Sequence, residues 1–413
     1  MKRALLIAFH HPPCTGTSGV QRATRFAQYL PEFGWQPEVL TATPGAYEQT
    51  TATADTAAYP VHRALALDSA RHLAILGRYP AFIARPDRWA SWWLFAVPKG
   101  LQVIRQARPD ILWSTYPIPT AHLIAHTLHR LTGIPWVADF RDPMAHEGYP
   151  SDPKLWRAFE RVERKVFGHA ALATFTTPGT RKLYQERYHW QDERLDIIEN
   201  GFDEGLFEQA THCVDQFATP NGQRVLLHSG VVYPEWRNPQ ALFRALRSLI
   251  DDGHEGAASI RIHFRAPAHE DFVRALAKAE NVTDQVKILP PIPHPLAVAE
   301  MLAAQGLLIL QSAGCNDQVP AKIYEYLRTG HPIISLADSA GDTAQVLAQH
   351  GHHLLANIES ADETRLILQR WLAQPIRRPS DVDKIDAPYS RRRCTEQLAR
   401  TFDKALSMKG RHP

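Results

Sequence analysis

The stretch Gln311-Ser312-Ala313-Gly314-Cys315-Asn316-Asp317-Gln318-Val319-Pro320-Ala321-Lys322-Ile323-Tyr324-Glu325-Tyr326-Leu327-Arg328-Thr329-Gly330-His331-Pro332 decides how this chain is read. The apolar run Leu307–Leu310 precedes it and has the makeup of a strand buried on both faces. A loop then feeds a helix whose first turn is expected to contain Pro320, and Gly330-His331-Pro332 stops that helix. Lys322 and Glu325 are three apart, so they share a face near the helix N-terminus. Free backbone amides, the helix dipole and Lys322 together suit a diphosphate. Glu325 can accept hydrogen bonds from ribose hydroxyls. The plainer reading is a Lys–Glu pair on the surface of an amphipathic helix.

Outward from this stretch, short apolar runs alternate with helical periodicity. Strands are expected at Ala4–Phe9, Pro37–Thr41, Asp110–Ser114, Trp136–Phe140 and Ala171–Phe175. After a polar, weakly periodic segment the alternation restarts at Arg224–His228. It continues at Ile260–Phe264, Val286–Leu289, Leu307–Leu310, Ile333–Leu336 and His353–Ala356. Such alternation implies α/β architecture: two doubly wound, Rossmann-like domains with a cleft between them. The expected division is a first domain over 1–205, a linker over 206–222, a second domain over 223–385, and a C-terminal helix in 386–413 that packs back on the first domain. Ligands of doubly wound sheets bind beyond the carboxyl ends of strands, so the loops after strands carry the chemistry.

Three further loops stand out. His10-His11-Pro12-Pro13-Cys14-Thr15-Gly16-Thr17-Ser18-Gly19-Val20-Gln21-Arg22 follows the first strand and opens a helix. Gly16 and Gly19 allow a ligand close to the backbone, although an ordinary tight connection reads the same way. Trp136-Val137-Ala138-Asp139-Phe140-Arg141-Asp142-Pro143 places two carboxylates around an arginine. These can hold sugar hydroxyls or act as a base, with Asp142 the stronger candidate, or Arg141 and one aspartate form a structural ion pair. Leu227-His228-Ser229-Gly230 through Arg237-Asn238-Pro239 opens the second half. Gly230 permits a sharp turn there, and Arg237, at the start of the next helix, is placed to clamp a phosphate or simply to be solvated.

Composition removes other classes. Hydrophobic residues make up 44 % and charged residues 22 %, which is ordinary for a globular chain and argues against disorder. The formal net charge is +3, too small to pull strongly on nucleic acid. Cys14, Cys213, Cys315 and Cys394 are scattered without a CxxC pair, so neither a disulfide framework nor a zinc–thiolate site is implied. No run of eighteen apolar residues occurs. Trp89, Trp92, Trp93 and Phe95 with Arg85, Arg88, Lys99 and Arg105 suit either a peripheral membrane contact through Arg85–Lys99 or a packed helix. His122, His126 and His129 share a helical face at zinc-compatible spacing, without a HExxH base. Asp381-Val382-Asp383 has the form of a metal-binding element, but it lies in a polar linker with no strand before it. No metal is expected.

Pro320–Leu327 followed by Gly330-His331-Pro332-Ile333 resembles the donor motif of GT-B glycosyltransferases, especially glycosyltransferase family 4. Leu227–Pro239, Ile198–Asp203 and Gly19-Val20-Gln21-Arg22 resemble further motifs of that family, in family order over roughly residues 1–340. Asp139–Pro143 is similar to members that build bacterial surface polysaccharides. The resemblance implies that Arg237 and Lys322 neutralise the departing diphosphate and that Glu325 binds the ribose. Asp317 stands eight positions before Glu325, where the family often has a glutamate contacting the donor sugar. Asp142, Arg237 and Lys322 are then the catalytic candidates. The donor-binding set is Gly16, Gly19, Gly230, Asp317, Val319, Pro320, Lys322 and Glu325. The implied reaction is sugar transfer, with retention and without metal or cofactor, from a nucleotide-sugar donor to a glycan or lipid-linked glycan. An exopolysaccharide, O-antigen or capsule is the expected product, made in the cytoplasm or at the inner face of its membrane. A GT-B epimerase or phosphorylase, or a donor-binding pseudoenzyme, shares much of this pattern.

Overall fold

The computed structural model describes residues 1–15, 18–51, 57–146, 148–220, 222–376 and 389–409. The chain divides into two compact units. One holds residues 1–200 together with the C-terminal helix; the other holds residues 201–390.

The first unit has strands β1 (Lys2–Ile7), β2 (Trp35–Ala42), β3 (Val61–Ala64), β4 (Ile111–Thr115), β5 (Trp136–Phe140), β6 (Leu172–Phe175) and β7 (Leu195–Ile197). All pair in parallel in the order β3-β2-β1-β4-β5-β6-β7. Helices α1 (Ser18–Tyr29), α2 (Trp92–Ala107), α3 (Pro119–Thr132), α4 (Pro153–His169) and α5 (Pro178–Tyr188) connect them. Residues of β1 alternate between two cores: Leu5 and Ile7 face α2 and α3, while Ala4 and Leu6, with Ala8 just past the strand, face α1 and the C-terminal helix. This two-sided burial is why β1 reads as a continuous apolar run. Edge strands β3 and β7 escape the sequence reading because Val61-His62-Arg63-Ala64 and Leu195-Asp196-Ile197 are short and interrupted by polar residues.

A buried ion pair ties this unit together. The Arg22 guanidinium donates to both oxygens of Asp139, at 3.0 and 2.7 Å, and to the carbonyls of Ile198 and Glu199. Thr115 and Thr174 donate to the same carboxylate at 2.7 and 2.8 Å. The arginine therefore holds Asp139 below the usual carboxylate range despite complete burial. Asp139 is thus partnered by Arg22 on α1 rather than by its near neighbour Arg141.

The second unit begins with α6 (Glu204–Thr211) and continues β8 (Arg224–Ser229), α7 (Gln240–Asp251), β9 (Ile260–Arg265), α8 (Glu270–Ala279), β10 (Val286–Leu289), α9 (His294–Ala303), β11 (Gly306–Leu310), α10 (Lys322–Thr329), β12 (Ile333–Leu336), α11 (Asp342–Gln349), β13 (Leu354–Ala356) and α12 (Ala361–Leu372). Its parallel sheet runs β10-β9-β8-β11-β12-β13. Residues 206–222, where polar composition placed a linker, begin in α6. Phe207 and Ala210 are buried with α9 residues Val298 and Leu302, which holds this segment in the second unit. The helix α13 (Arg391–Lys409) packs on the first unit, where Phe402 meets Trp35 edge-on.

Arg22→Met removes one partner of the Arg22–Asp139 pair and leaves a buried carboxylate uncompensated. The expected loss is about 3–5 kcal/mol of stability, read as a lower urea midpoint of the first unit by tryptophan fluorescence.

Candidate functional site

The second unit gathers its candidate residues where β8 and β11 end. Helix α10 starts at Lys322, so Pro320 and Ala321 precede the helix rather than lying in its first turn. Arg237 likewise lies in the loop before α7, which starts at Gln240. The Lys322 ammonium donates to Nε2 of His228 at 3.2 Å. His228 donates from Nδ1 to the Leu308 carbonyl at 3.0 Å, which leaves Nε2 bare to accept. Gly230 sits at φ +116°, and a Cβ there would stand 3.3 Å from Lys322 Nζ. Glycine is therefore required both for the backbone turn and for the approach of the ammonium. The Tyr326 hydroxyl accepts from the Ser229 amide at 3.0 Å and pins the same loop to α10.

Arg237 donates to the Val231 carbonyl at 2.8 Å and lies over the Tyr233 ring. Burial, then the neighbouring Arg237, drives the Lys322 pKa well below the ordinary lysine value. Burial, Lys322 and Arg237 lower His228 in the same direction. Among the described residues, neither Lys322 nor Arg237 is in an ion pair. Three basic groups thus converge with no carboxylate at ion-pair distance among the described residues, Glu325 opposing the shift of Lys322 from farther off, which is an arrangement for an anion. Glu325 accepts from His294 Nε2 at 2.9 Å.

The loop before α10 is held rigidly. Gln311 donates to the carbonyls of Cys315 and Gln318 at 2.6 and 2.9 Å. Thr343 donates to Gln311, and Asn316 donates to Asp338. Val319 is buried and Asp317 is exposed on this loop.

Gly19 and Asp142 belong to the first unit. A Cβ on Gly19 would come within 2.9 Å of the Arg141 guanidinium and 3.0 Å of His10 Nδ1, so a larger residue there would displace one of these side chains. Burial raises the Asp142 carboxyl, with Arg141 opposing. Buried Glu163 fixes the loop bearing Asp142: it accepts from the Ala145 amide at 2.9 Å and from Tyr184 and Tyr188, each at 2.7 Å. Gly16, Asp381 and Asp383 lie outside the described residues.

His228, His294 and Glu163 escaped the sequence reading as site residues. His228 ends a strand and reads as core, while the other two lie far from the motifs they serve. His122, His126 and His129 turn to separate partners: the Ser114 hydroxyl, the His169 ring and the Ile134 carbonyl. Among the described residues, no three His, Cys, Asp or Glu side chains are grouped to hold a metal.

Residues 18–201 match a family model described as Glycosyl transferase 4-like domain. Solved structures share the architecture along nearly the whole chain. Sucrose-phosphate synthase from Thermosynechococcus elongatus is 14 % identical with TM-score 0.64, covering 100 % of this chain and 98 % of its own. HepE from Anabaena, solved with UDP and glucose, is 15 % identical with TM-score 0.60, covering 100 % and 98 %. WaaG, a glycosyltransferase involved in lipopolysaccharide biosynthesis, is 15 % identical with TM-score 0.61, covering 98 % and 99 %. None of the curated proteins compared with the chain matches it. The fold is GT-B. Within that fold, residues 18–201 are similar to a glycosyl transferase 4-like domain.

His10 and His263 sit near pKa 4 in the folded chain, mainly through burial, against an ordinary 6.5. Between those values the unfolded chain binds more protons, so stability falls as pH drops from about 6.5 toward 4. Urea midpoints measured at pH 7 and pH 5 are expected to be lower at pH 5. Equal midpoints would mean these imidazoles are not held neutral.

Proposed function

We propose that the second unit binds a nucleotide-diphosphate sugar and that the chain transfers the sugar, with retention and without a metal, to a hydroxyl of a glycan or lipid-linked glycan. The single observation that carries this reading is the convergence of Lys322, Arg237 and His228 at the start of α10 with, among the described residues, no carboxylate in an ion pair to them. Two fixed cations, Lys322 and Arg237, with the neutral His228 holding the first of them, stabilise the charge that develops on a departing diphosphate. His228 is a positioning residue: its bare Nε2 holds the ammonium toward the Gly230 turn. Glu325, oriented by His294, takes the ribose hydroxyls. Asp317, Val319 and Pro320 line the sugar side.

In the first unit Asp142 engages the acceptor hydroxyl, because burial raises its affinity for a proton. Gly19 lets the acceptor approach the start of α1 beside His10 and Arg141. HepE, solved with UDP-glucose, supports a uridine nucleotide as the first donor to try. WaaG supports a role in a bacterial surface glycan.

A peripheral membrane contact belongs to the same reading. Trp92 is fully buried and Trp89 packs on the core, so these two tryptophans are structural. Their neighbours are not: Ile75, Leu76, Phe82 and Leu94 are 80, 98, 72 and 60 % exposed. Arg71, Arg78, Arg85, Lys99 and Arg105 interleave with them. Exposed apolar side chains among cations fit an anionic bilayer surface at the inner face of the cytoplasmic membrane. Among the described residues, no helix is long and apolar enough to cross a membrane.

UDP at millimolar concentration is expected to raise the melting temperature, and Lys322→Ala is expected to abolish that shift and transfer together while leaving the ligand-free melt intact. Unchanged turnover in Lys322→Ala would remove this site from the mechanism. Phe82→Asp with Leu94→Asp is expected to release the chain from phosphatidylglycerol vesicles in flotation without changing its melt. Equal flotation of variant and parent would place any membrane contact elsewhere.

A further inference from the structure

A strand inside a doubly wound sheet normally presents apolar side chains on both faces. Strand β9 does not. Ile260, Ile262 and Phe264 enter the core shared with α7 and α8, whereas Arg261, His263 and Arg265 face the other way. Lys287 on β10 stands directly beside His263 in the parallel register, so it shares that face. These residues line a cavity of about 490 Å³ whose walls are the C-terminal end of α9 and the strap at 216–220. Four basic side chains therefore look into one space.

Their partners do not balance them. Arg265 is saturated: it donates to both oxygens of Glu300 at 2.7 Å and to the Pro290 carbonyl at 2.6 Å. Arg261 donates to the carbonyls of Ala258 and Ile260, which carry no charge. Among the described residues, His263 and Lys287 have no hydrogen-bond or ion-pair partner. The other carboxylate on the described lining, Asp284, is exposed and in no ion pair. The imidazole of His263 registers the result: burial, then Lys287, Arg265 and Arg261, lower it to about 4. A roomy, half-polar cavity with two unbalanced cations, Arg261 and Lys287, and an imidazole between them recognises an anion.

We propose that this cavity is a second ligand site, separate from the donor site, that binds a small phosphomonoester of sugar-phosphate size. The phosphoryl group lies between Arg261, His263 and Lys287, and the organic part extends toward the strap. The volume exceeds what inorganic phosphate fills and falls within the usual range for small-molecule sites. The site also abuts the donor loop, because the Arg265 carbonyl accepts from the Gly230 amide at 2.8 Å.

The test is isothermal titration of the full chain with ribose 5-phosphate, with ribose as the uncharged control. The expected result is saturable binding of ribose 5-phosphate and none of ribose. Arg261→Gln with Lys287→Gln is expected to weaken binding at least about tenfold, while Lys322→Ala leaves it unchanged. Lys287→Glu alone, at an exposed position, gives the same readout if the double variant fails to fold. No saturable binding by about 10 mM, or binding lost in Lys322→Ala and kept in the Arg261 and Lys287 variants, would overturn the proposal. Failure of UDP binding with this binding intact would count against the donor site alone.

Discussion

A lysine ammonium resting on a neutral imidazole is the contact on which the second unit's site depends. Lys322 needs a seat that does not neutralise it, and His228 provides one, because its other nitrogen is committed to the Leu308 carbonyl. A carboxylate in that place would cancel the charge the site exists to present. The seat in turn fixes the backbone: the residue at 230 has to turn at positive φ and leave room for the ammonium, so it is glycine. The Tyr326 hydroxyl on the Ser229 amide then locks the loop to α10. Each constraint follows from the need to bury a positive charge without a partner until an anion arrives.

The first unit solves the opposite problem. Its buried charge is fully paired, with Arg22 and two threonines satisfying Asp139 and the same arginine reaching the carbonyls of Ile198 and Glu199. That pair joins α1, β5 and the chain just past β7 in a single contact. It also leaves Arg141 and Asp142 to the end of the sheet, beside Gly19 and His10.

Much of the fold was legible because buried parallel strands read as apolar runs. Trp136–Phe140 and Ile333–Leu336 coincide with β5 and β12, since both are buried on both faces. β3 and β7 were not legible, because an edge strand of three or four residues needs little apolar sequence. The helix α6 hid in polar composition, and one buried face with Phe207 and Ala210 was enough to form it. At the site, Lys322, Glu325, Gly230 and Arg237 could be picked out by spacing and loop position. The residues that orient them could not. His228 and His294 act across 94 and 31 residues of chain, and no local pattern announces a partner that far away. Asp139 misled for the same reason, its partner lying 117 residues earlier rather than two residues on.

The central claim is that Lys322, Arg237 and His228 form the seat of a nucleotide diphosphate. A crystal structure of the chain soaked with UDP tests it most directly. The account predicts diphosphate density within roughly 3 Å of Lys322 Nζ and the Arg237 guanidinium, with the ribose hydroxyls on Glu325. Density for UDP elsewhere in the chain, with these three side chains bare, would contradict it.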